Sequence, residues 1–253
     1  MTAEERRQEI LNAIRVEGSV RASELAERLH VTTETIRKDL IFLSDQHLLR
    51  KGHGVAQAIN EFTERSLDIR SQEHAQAKQA IAGCAVRQIP DGSVVFVDAG
   101  STMLALARQL QQRSGLAVIT NNLSVIPALL ASENAVYFLG GEVSAVTQST
   151  GGIWASNALQ SIKIDIAFLG SSDFQSHTGP CTKLFSDAQL KREVIGSANR
   201  TIVLADHSKF STNAIMQYAD WKDIDLFITD SSVSSENLAA LPQCLEILIA
   251  END

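Results

Sequence analysis

The sequence predicts an α/β protein in two parts. A small N-terminal domain of three helices and a hairpin spans residues 1–58, and a larger, doubly wound, mostly parallel α/β domain spans 75–253. Three observations carry this. Apolar residues recur at helical spacing through the first half of the small domain. From residue 75 onward, short apolar runs alternate with helical patterns, as expected when helices cover both faces of a parallel sheet. Between them, residues 59–74 are polar, with no sustained apolar face, and read as a linker or a solvated helix.

Composition and charge narrow the function. With 44% hydrophobic and 21% charged residues, the chain is neither collagenous nor disordered. Its apolar runs fall short of the ~18 residues that a membrane span needs. Met1–Arg7 carries charges of both signs with no apolar core behind it, unlike a secretory signal. A cytoplasmic protein with no membrane partner is expected. Cys84, Cys181 and Cys244 lie far apart without a C-x-x-C pair, and read as reduced thiols. The six histidines do not cluster, so neither metal nor other cofactor is expected. The net charge of −8 hides an asymmetry: residues 1–58 carry 9 Lys/Arg and 9 Asp/Glu, and all the excess acid lies beyond them.

The first helix follows from Ile10, Leu11, Ile14 and Val16 and stops at Gly18. A second runs from Ala22 to Leu29, with Leu25, Ala26 and Leu29 on one face. His30-Val31-Thr32 is short enough only for a tight turn, and Thr32 caps a third helix from Thr33 to about Gln46. Ile36, Leu40 and Leu43 form its buried stripe; Thr33, Glu34, Thr35, Arg37 and Lys38 face away from it. Residues 48–56 then read as a hairpin with a glycine-rich tip. The whole is a winged helix-turn-helix, whose second helix reaches base edges in a major groove. Arg37 suits a guanine and Thr33 or Thr35 a base edge or thymine methyl; Lys38, and Arg50, Lys51 and His53 on the wing, suit phosphates. The bland alternative is a helical bundle that only packs or dimerises. Glu34 is expected to favour the helix N-terminus rather than read a base.

These residues carry a resemblance. Ser23-Glu24-Leu25-Ala26, then Val31-Thr32-Thr33-Glu34-Thr35-Ile36-Arg37-Lys38-Asp39-Leu40, then Leu48-Leu49-Arg50 and the glycine-rich wing, resemble the DeoR family of bacterial transcriptional regulators. The T-I-R-[RK]-D-L stretch is the specific part. The family's wing usually reads H-G-G-A; Gly52-His53-Gly54-Val55-Ala56 is shifted by one residue.

In the larger domain, strands are expected at 93–97, 117–119, 136–139, 165–169, 201–204, 226–228 and 245–249, and helices at 78–86, 103–110 and 123–130. Ligands of such sheets bind at the carboxyl ends of strands, where the small polar turns fall. Asp98-Ala99-Gly100-Ser101-Thr102 opens a helix, and free N–H groups with two hydroxyls suit a phosphate. Thr120-Asn121-Asn122, Gly140-Gly141-Glu142, Gly170-Ser171-Ser172-Asp173 and Asp206-His207-Ser208-Lys209 follow other strands. Any one of these turns is routine; together they suit a polyhydroxylated, phosphorylated ligand. His207 is expected to be structural rather than catalytic.

The resemblance extends over nearly the whole chain. The family's effector domain carries D-x-G-[ST]-T, T-N, G-G-E and D-S-S-K at these places and is similar in fold to ribose-5-phosphate isomerases. It implies that Gly100, Ser101 and Thr102 hold a phosphate, that Asp98, Asn121, Gly141 and Glu142 lie near a sugar, and that Lys191 and Lys209 are the cations. His207 departs from the family's Ser. The resemblance further implies a double-stranded DNA operator, a phosphorylated sugar effector, a homo-oligomer (dimer or tetramer), and repression of carbohydrate uptake and catabolism genes. The alternative from another class is a sugar-phosphate isomerase with an accessory DNA-binding domain. Such enzymes need a base with a partner acid and place Asp-Gly-Ala-Asp after a central strand. This chain has Gly170-Ser171-Ser172-Asp173 there, and a non-enzyme is expected.

Overall fold

The computed structural model describes residues 2–17, 19–46, 48–51, 55–58, 67–174 and 178–251. The chain divides into two compact units, Met1–Arg65 and Ser66–Asp253.

The first unit runs α1 (Ala3–Glu17), β1 (Ser19–Arg21), α2 (Ala22–Arg28), α3 (Thr33–Asp45), β2 (Leu49–Lys51) and β3 (Val55–Ala58). The three helices form where the apolar spacing predicts. Thr32 caps α3 as expected: its hydroxyl accepts the Thr35 N–H at 3.2 Å, satisfying one of the orphan donors of the first turn. Ile36, Leu40 and Leu43 are buried against Ile10 and Ile14 of α1 and Leu25 of α2. Strands β2 and β3 make the expected antiparallel hairpin. Strand β1 was not expected. It pairs antiparallel with β3, extends the hairpin to three strands, and sets Val20 opposite Ala56 in the core.

The second unit opens with α4 (Leu67–Gln72) and α5 (Ala75–Val86). The stretch expected as linker thus becomes helix at residue 67, with Leu67 buried; its residues 59–66 lie outside the described residues. There follow β4 (Val94–Val97), α6 (Ser101–Leu110), β5 (Ser114–Thr120), α7 (Ile126–Leu130), β6 (Glu133–Phe138), β7 (Glu142–Ser144), β8 (Ser149–Gly151), α8 (Ile153–Leu159) and β9 (Ile164–Gly170). The chain continues through β10 (Cys181–Thr182), α9 (Phe185–Ser197), β11 (Ala198–Leu204), β12 (Met216–Gln217), β13 (Leu226–Asp230), α10 (Ser235–Ala239) and β14 (Ile247–Ala250).

All seven expected strands join one sheet, in the order β14-β13-β11-β9-β4-β5-β6. Every pair in it is parallel, where only a mostly parallel sheet was expected. Alternate side chains go to opposite faces. Val95, Val97, Val118 and Phe168 pack against Ile81 of α5 and Met103, Leu106 and Leu110 of α6. Phe96, Ile119, Ala167 and Leu169 pack against Leu159 of α8 and Ala188 and Val194 of α9. Strand order reverses between β4 and β9, so their carboxyl ends flank the crevice where ligands of such sheets bind. The hairpins β7–β8 and β10–β12 are antiparallel additions on that side.

Candidate functional site

On α3, Thr33 and Thr35 are half-buried and Arg37 and Lys38 exposed. The Thr35 hydroxyl lies 2.9 Å from that of Thr32, within the cap. Glu34 stands beside Arg37, its Oε2 3.5 Å from the guanidinium. Asp39 is only 2% exposed although it lies between Lys38 and Leu40. Its two oxygens accept from Arg6 Nε at 2.5 Å and Arg7 Nε at 2.9 Å, and the Arg7 guanidinium sits 3.6 Å from the Phe42 ring centroid. Arg6 and Arg7 thus serve to lock α1 onto α3, whereas Arg37 and Lys38 project outward. The backbones of Arg50 and Lys51 lie in β2, but their side chains, and all of His53, fall outside the described residues.

At the switch point of the sheet stands Asp98, 1% exposed, at the carboxyl end of β4. Its Oδ2 accepts the Gly170 N–H at 2.9 Å and pairs with Lys191 Nζ from α9. Lys191 Nζ also donates to the Gly170 carbonyl at 3.2 Å, which takes the Tyr218 hydroxyl at 2.9 Å as well. Burial pushes the Asp98 carboxyl up, against the opposing pull of the Lys191 ammonium. The Tyr218 phenol is raised well above its ordinary value by burial and by the charge on Asp98. The fold therefore brings Asp98 and Lys191 together, an association that sequence separation conceals.

The phosphate-loop candidates adjoin this pair. Gly100, at φ +127, caps α6 without a side chain, and Ser101 and Thr102 begin that helix, each 8% exposed. One strand along, Asn121 is 1% exposed; its Nδ2 donates to the Thr150 carbonyl at 2.9 Å. Two buried acceptors here, Asp98 Oδ1 and Asn121 Oδ1, have no hydrogen-bond partner among the described residues. Burying an acceptor without a donor is costly.

Beside them opens a pocket of about 330 Å³ under the β7–β8 hairpin, lined among others by Glu142, Thr150, Gly152, Ser186, Asp187 and Leu190. Gly141, at φ +149, lets the hairpin close: a Cβ there would lie 2.2 Å from the Gly151 carbonyl oxygen. Of the expected residues, Glu142 lines this pocket, while Asp98, Gly100, Ser101, Thr102, Asn121, Gly141, Lys191 and Lys209 do not.

Lys209 is placed elsewhere, beyond β9 at the end of β11, with Asp206 and Lys78. Lys78, from the first turns of α5, is 3% exposed and 3.4 Å from Asp206, and burial lowers its pKa. Its position next to strand ends was not legible, because nothing local marks that lysine as inward. Burial alone would raise Asp206, but Lys209, Lys78 and two hydrogen bonds from Ser208 hold it below the ordinary carboxylate range. His207 contacts Asp230 and His74: its Nδ1 lies 2.8 Å from Asp230 Oδ2, its backbone N–H donates to Oδ1 at 2.7 Å, and its ring meets that of His74 edge-on at 4.6 Å. Asp173, the carboxylate after the central strand, accepts the Ala214 N–H at 3.2 Å. No group of His, Cys, Asp and Glu among the described residues could hold a metal, and no described helix is long and apolar enough to cross a membrane.

Residues 6–62 match the DeoR-like helix-turn-helix domain and residues 73–231 the DeoR C terminal sensor domain. Among similar proteins, the transcriptional repressor AccR of Agrobacterium fabrum is 30% identical, covering 91% of this chain and 90% of that protein. The glycerol-3-phosphate regulon repressor of Escherichia coli K12 is 29% identical, over 91% and 92%. The HTH-type transcriptional regulator GlpR of Haloferax volcanii is 28% identical, over 94% and 93%. Among solved structures, ribose 5-phosphate isomerase A of Methanocaldococcus jannaschii matches with a TM-score of 0.39 and 22% identity, over 53% of each chain.

Proposed function

The chain belongs to the DeoR family of DNA-binding transcriptional regulators, and on that premise we propose that it is a cytoplasmic, homo-oligomeric repressor of carbohydrate genes, controlled by a phosphorylated sugar. In this reading Arg37 and Thr33 address base edges, with Thr35 beside them, and Lys38 and the wing residues Arg50, Lys51 and His53 hold phosphates. In the second unit, the first-turn N–H groups of α6 with the Ser101 and Thr102 hydroxyls take the effector's phosphate. Glu142 and the Gly141 hairpin bound the sugar, and Lys191 orients Asp98. Lys209 supplies positive potential from another strand end, where Lys78 is paired with Asp206.

The observation that carries the reading is the pair of orphaned acceptors, Asp98 Oδ1 and Asn121 Oδ1, at adjacent strand ends. A ligand rich in hydroxyl donors satisfies both. We propose binding rather than turnover. Asp98 Oδ2 is already committed to Lys191 and Gly170, and Asp173 accepts a backbone N–H, which supports binding over proton transfer at these two carboxylates.

The test is thermal unfolding and operator binding against phosphorylated sugars, each paired with its unphosphorylated parent. One phosphosugar, and not its parent, raises the melting temperature and changes operator affinity. Arg37→Ala abolishes operator binding and keeps that temperature shift. A flat panel removes the effector reading, and loss of both properties in Arg37→Ala removes the division of labour.

A further inference from the structure

On the face of the sheet that carries α8 and α9, the second unit leaves large apolar side chains uncovered. Val143 is 60% exposed, Ile153 66%, Trp154 74% and Phe185 66%. All four belong to, or directly adjoin in the chain, the residues that line one pocket. Val143 itself lines the pocket, Ile153 and Trp154 follow its wall residue Gly152, and Phe185 sits between its wall residues Leu184 and Ser186. The band continues to the sheet edge. Tyr137 of β6 pairs in register with Ile119, which packs against Ala155 and Leu159 of α8. Its ring therefore lies on the same face, and it is 57% exposed.

A monomer rarely leaves a contiguous apolar patch of this kind to water. Each of the three aromatics offers about 150–250 Å² when fully covered. With Ile153 and Val143 the band supplies several hundred Å², a large share of the ~800 Å² per partner of a standard interface. A helix-turn-helix protein also has a use for a second copy, because one recognition helix contacts too few bases for a specific site and two copies read paired half-sites.

We propose that this band is where a second copy of the chain docks, and that the docked copy closes the mouth of the pocket under the β7–β8 hairpin. The pairing stands on the exposed band alone. The closing of the pocket over an effector rests on the function proposed above. It makes effector binding and assembly mutually dependent: a ligand enclosed between two copies binds the pair better than the single chain, so each promotes the other by the same factor.

The full-length chain reports on this directly, because it has two tryptophans and the other, Trp221, is only 5% exposed. Fluorescence emission and sedimentation are followed together over a protein dilution series. The expected result is a blue shift of Trp154 emission that tracks assembly. Trp154→Glu and Phe185→Glu each weaken self-association at least tenfold while circular dichroism shows a retained fold. Assembly unaffected by both variants, or a red, solvent-like emission in the assembled protein, overturns the pairing. So does a blue shift that follows added phosphosugar but not protein concentration, since the band then covers a ligand. A variant that dissociates yet binds the phosphosugar with unchanged affinity overturns the closing of the pocket and leaves the pairing. A flat phosphosugar panel on wild type sinks the effector reading instead, and the dilution series still decides the pairing.

Discussion

Asp39 shows how one residue can serve the fold within a motif that reads as functional. It lies in the middle of the Thr35–Leu40 run, yet it is buried and holds Arg6 and Arg7. Hydrogen bonds to charged groups are worth more than neutral ones, so Asp39→Ala is expected to destabilise the first unit by about 1.5–3 kcal/mol, read by urea denaturation. The stripe Ile36-Leu40-Leu43 was legible in the sequence because its period is local; the pairing of Asp39 was not, because its partners lie 32 and 33 residues away. The same holds for Asp98 and Lys191, 93 residues apart. Acid stability is decided at this scale too. Burial would raise Asp230, but the His207 N–H and ring, with the Ser232 N–H, hold it below its ordinary value, and Asp206 is likewise lowered. A carboxyl whose folded pKa lies below its unfolded value of about 3.9 adds stability above that pH and loses it as the pH falls through the folded pKa. Asp98, raised by burial, has the opposite sense: its contribution is largest in acid and declines as the pH rises through its folded pKa. Asp230→Asn is therefore expected to make the loss of melting temperature between pH 5 and pH 2 shallower; an unchanged slope would show that this carboxylate carries none of it.

Among the elements, the strands of continuous apolar sequence were readable and β1, β7 and β8 were not. Strands such as β4 and β9 are nearly continuous in apolar residues because both their faces are covered, and no loop composition imitates that. Strands β1, β7 and β8 have three residues each, too few for an alternation to register. They exist because of distant partners: β1 because β3 is there to pair with, and β8 because the Thr150 N–H finds the Asn121 carbonyl at 2.8 Å. The β7–β8 hairpin is also where the candidate pocket is most sensitive. Gly141→Ala puts a Cβ 2.2 Å from the Gly151 carbonyl oxygen at a positive φ, so the hairpin must shift. A cost of about 1–3 kcal/mol is expected, seen as a lowered melting temperature together with a lost response to the phosphosugar. A lowered temperature with an intact response would place the ligand away from this hairpin.

The whole chain consists of two units with separate cores, so calorimetry is expected to resolve two transitions. A phosphosugar at 100 times its dissociation constant should stabilise the second unit by about 2.7 kcal/mol and move only its transition, whereas Asp39→Ala should lower only the other. A single transition that both perturbations move would show that the two units unfold as one. Read alone, the sequence determines the fold class, the three N-terminal helices and the seven strands of the main sheet, because periodicity, caps and turns are local interactions written in neighbouring residues. The tertiary structure decides that Asp98 meets Lys191, that Lys78 joins Asp206 and Lys209 at another strand end, that two acceptors are left without donors, and that a band of apolar side chains stays uncovered around the pocket. These depend on strand order and burial, and so on contacts between residues far apart in the chain, which no local pattern encodes.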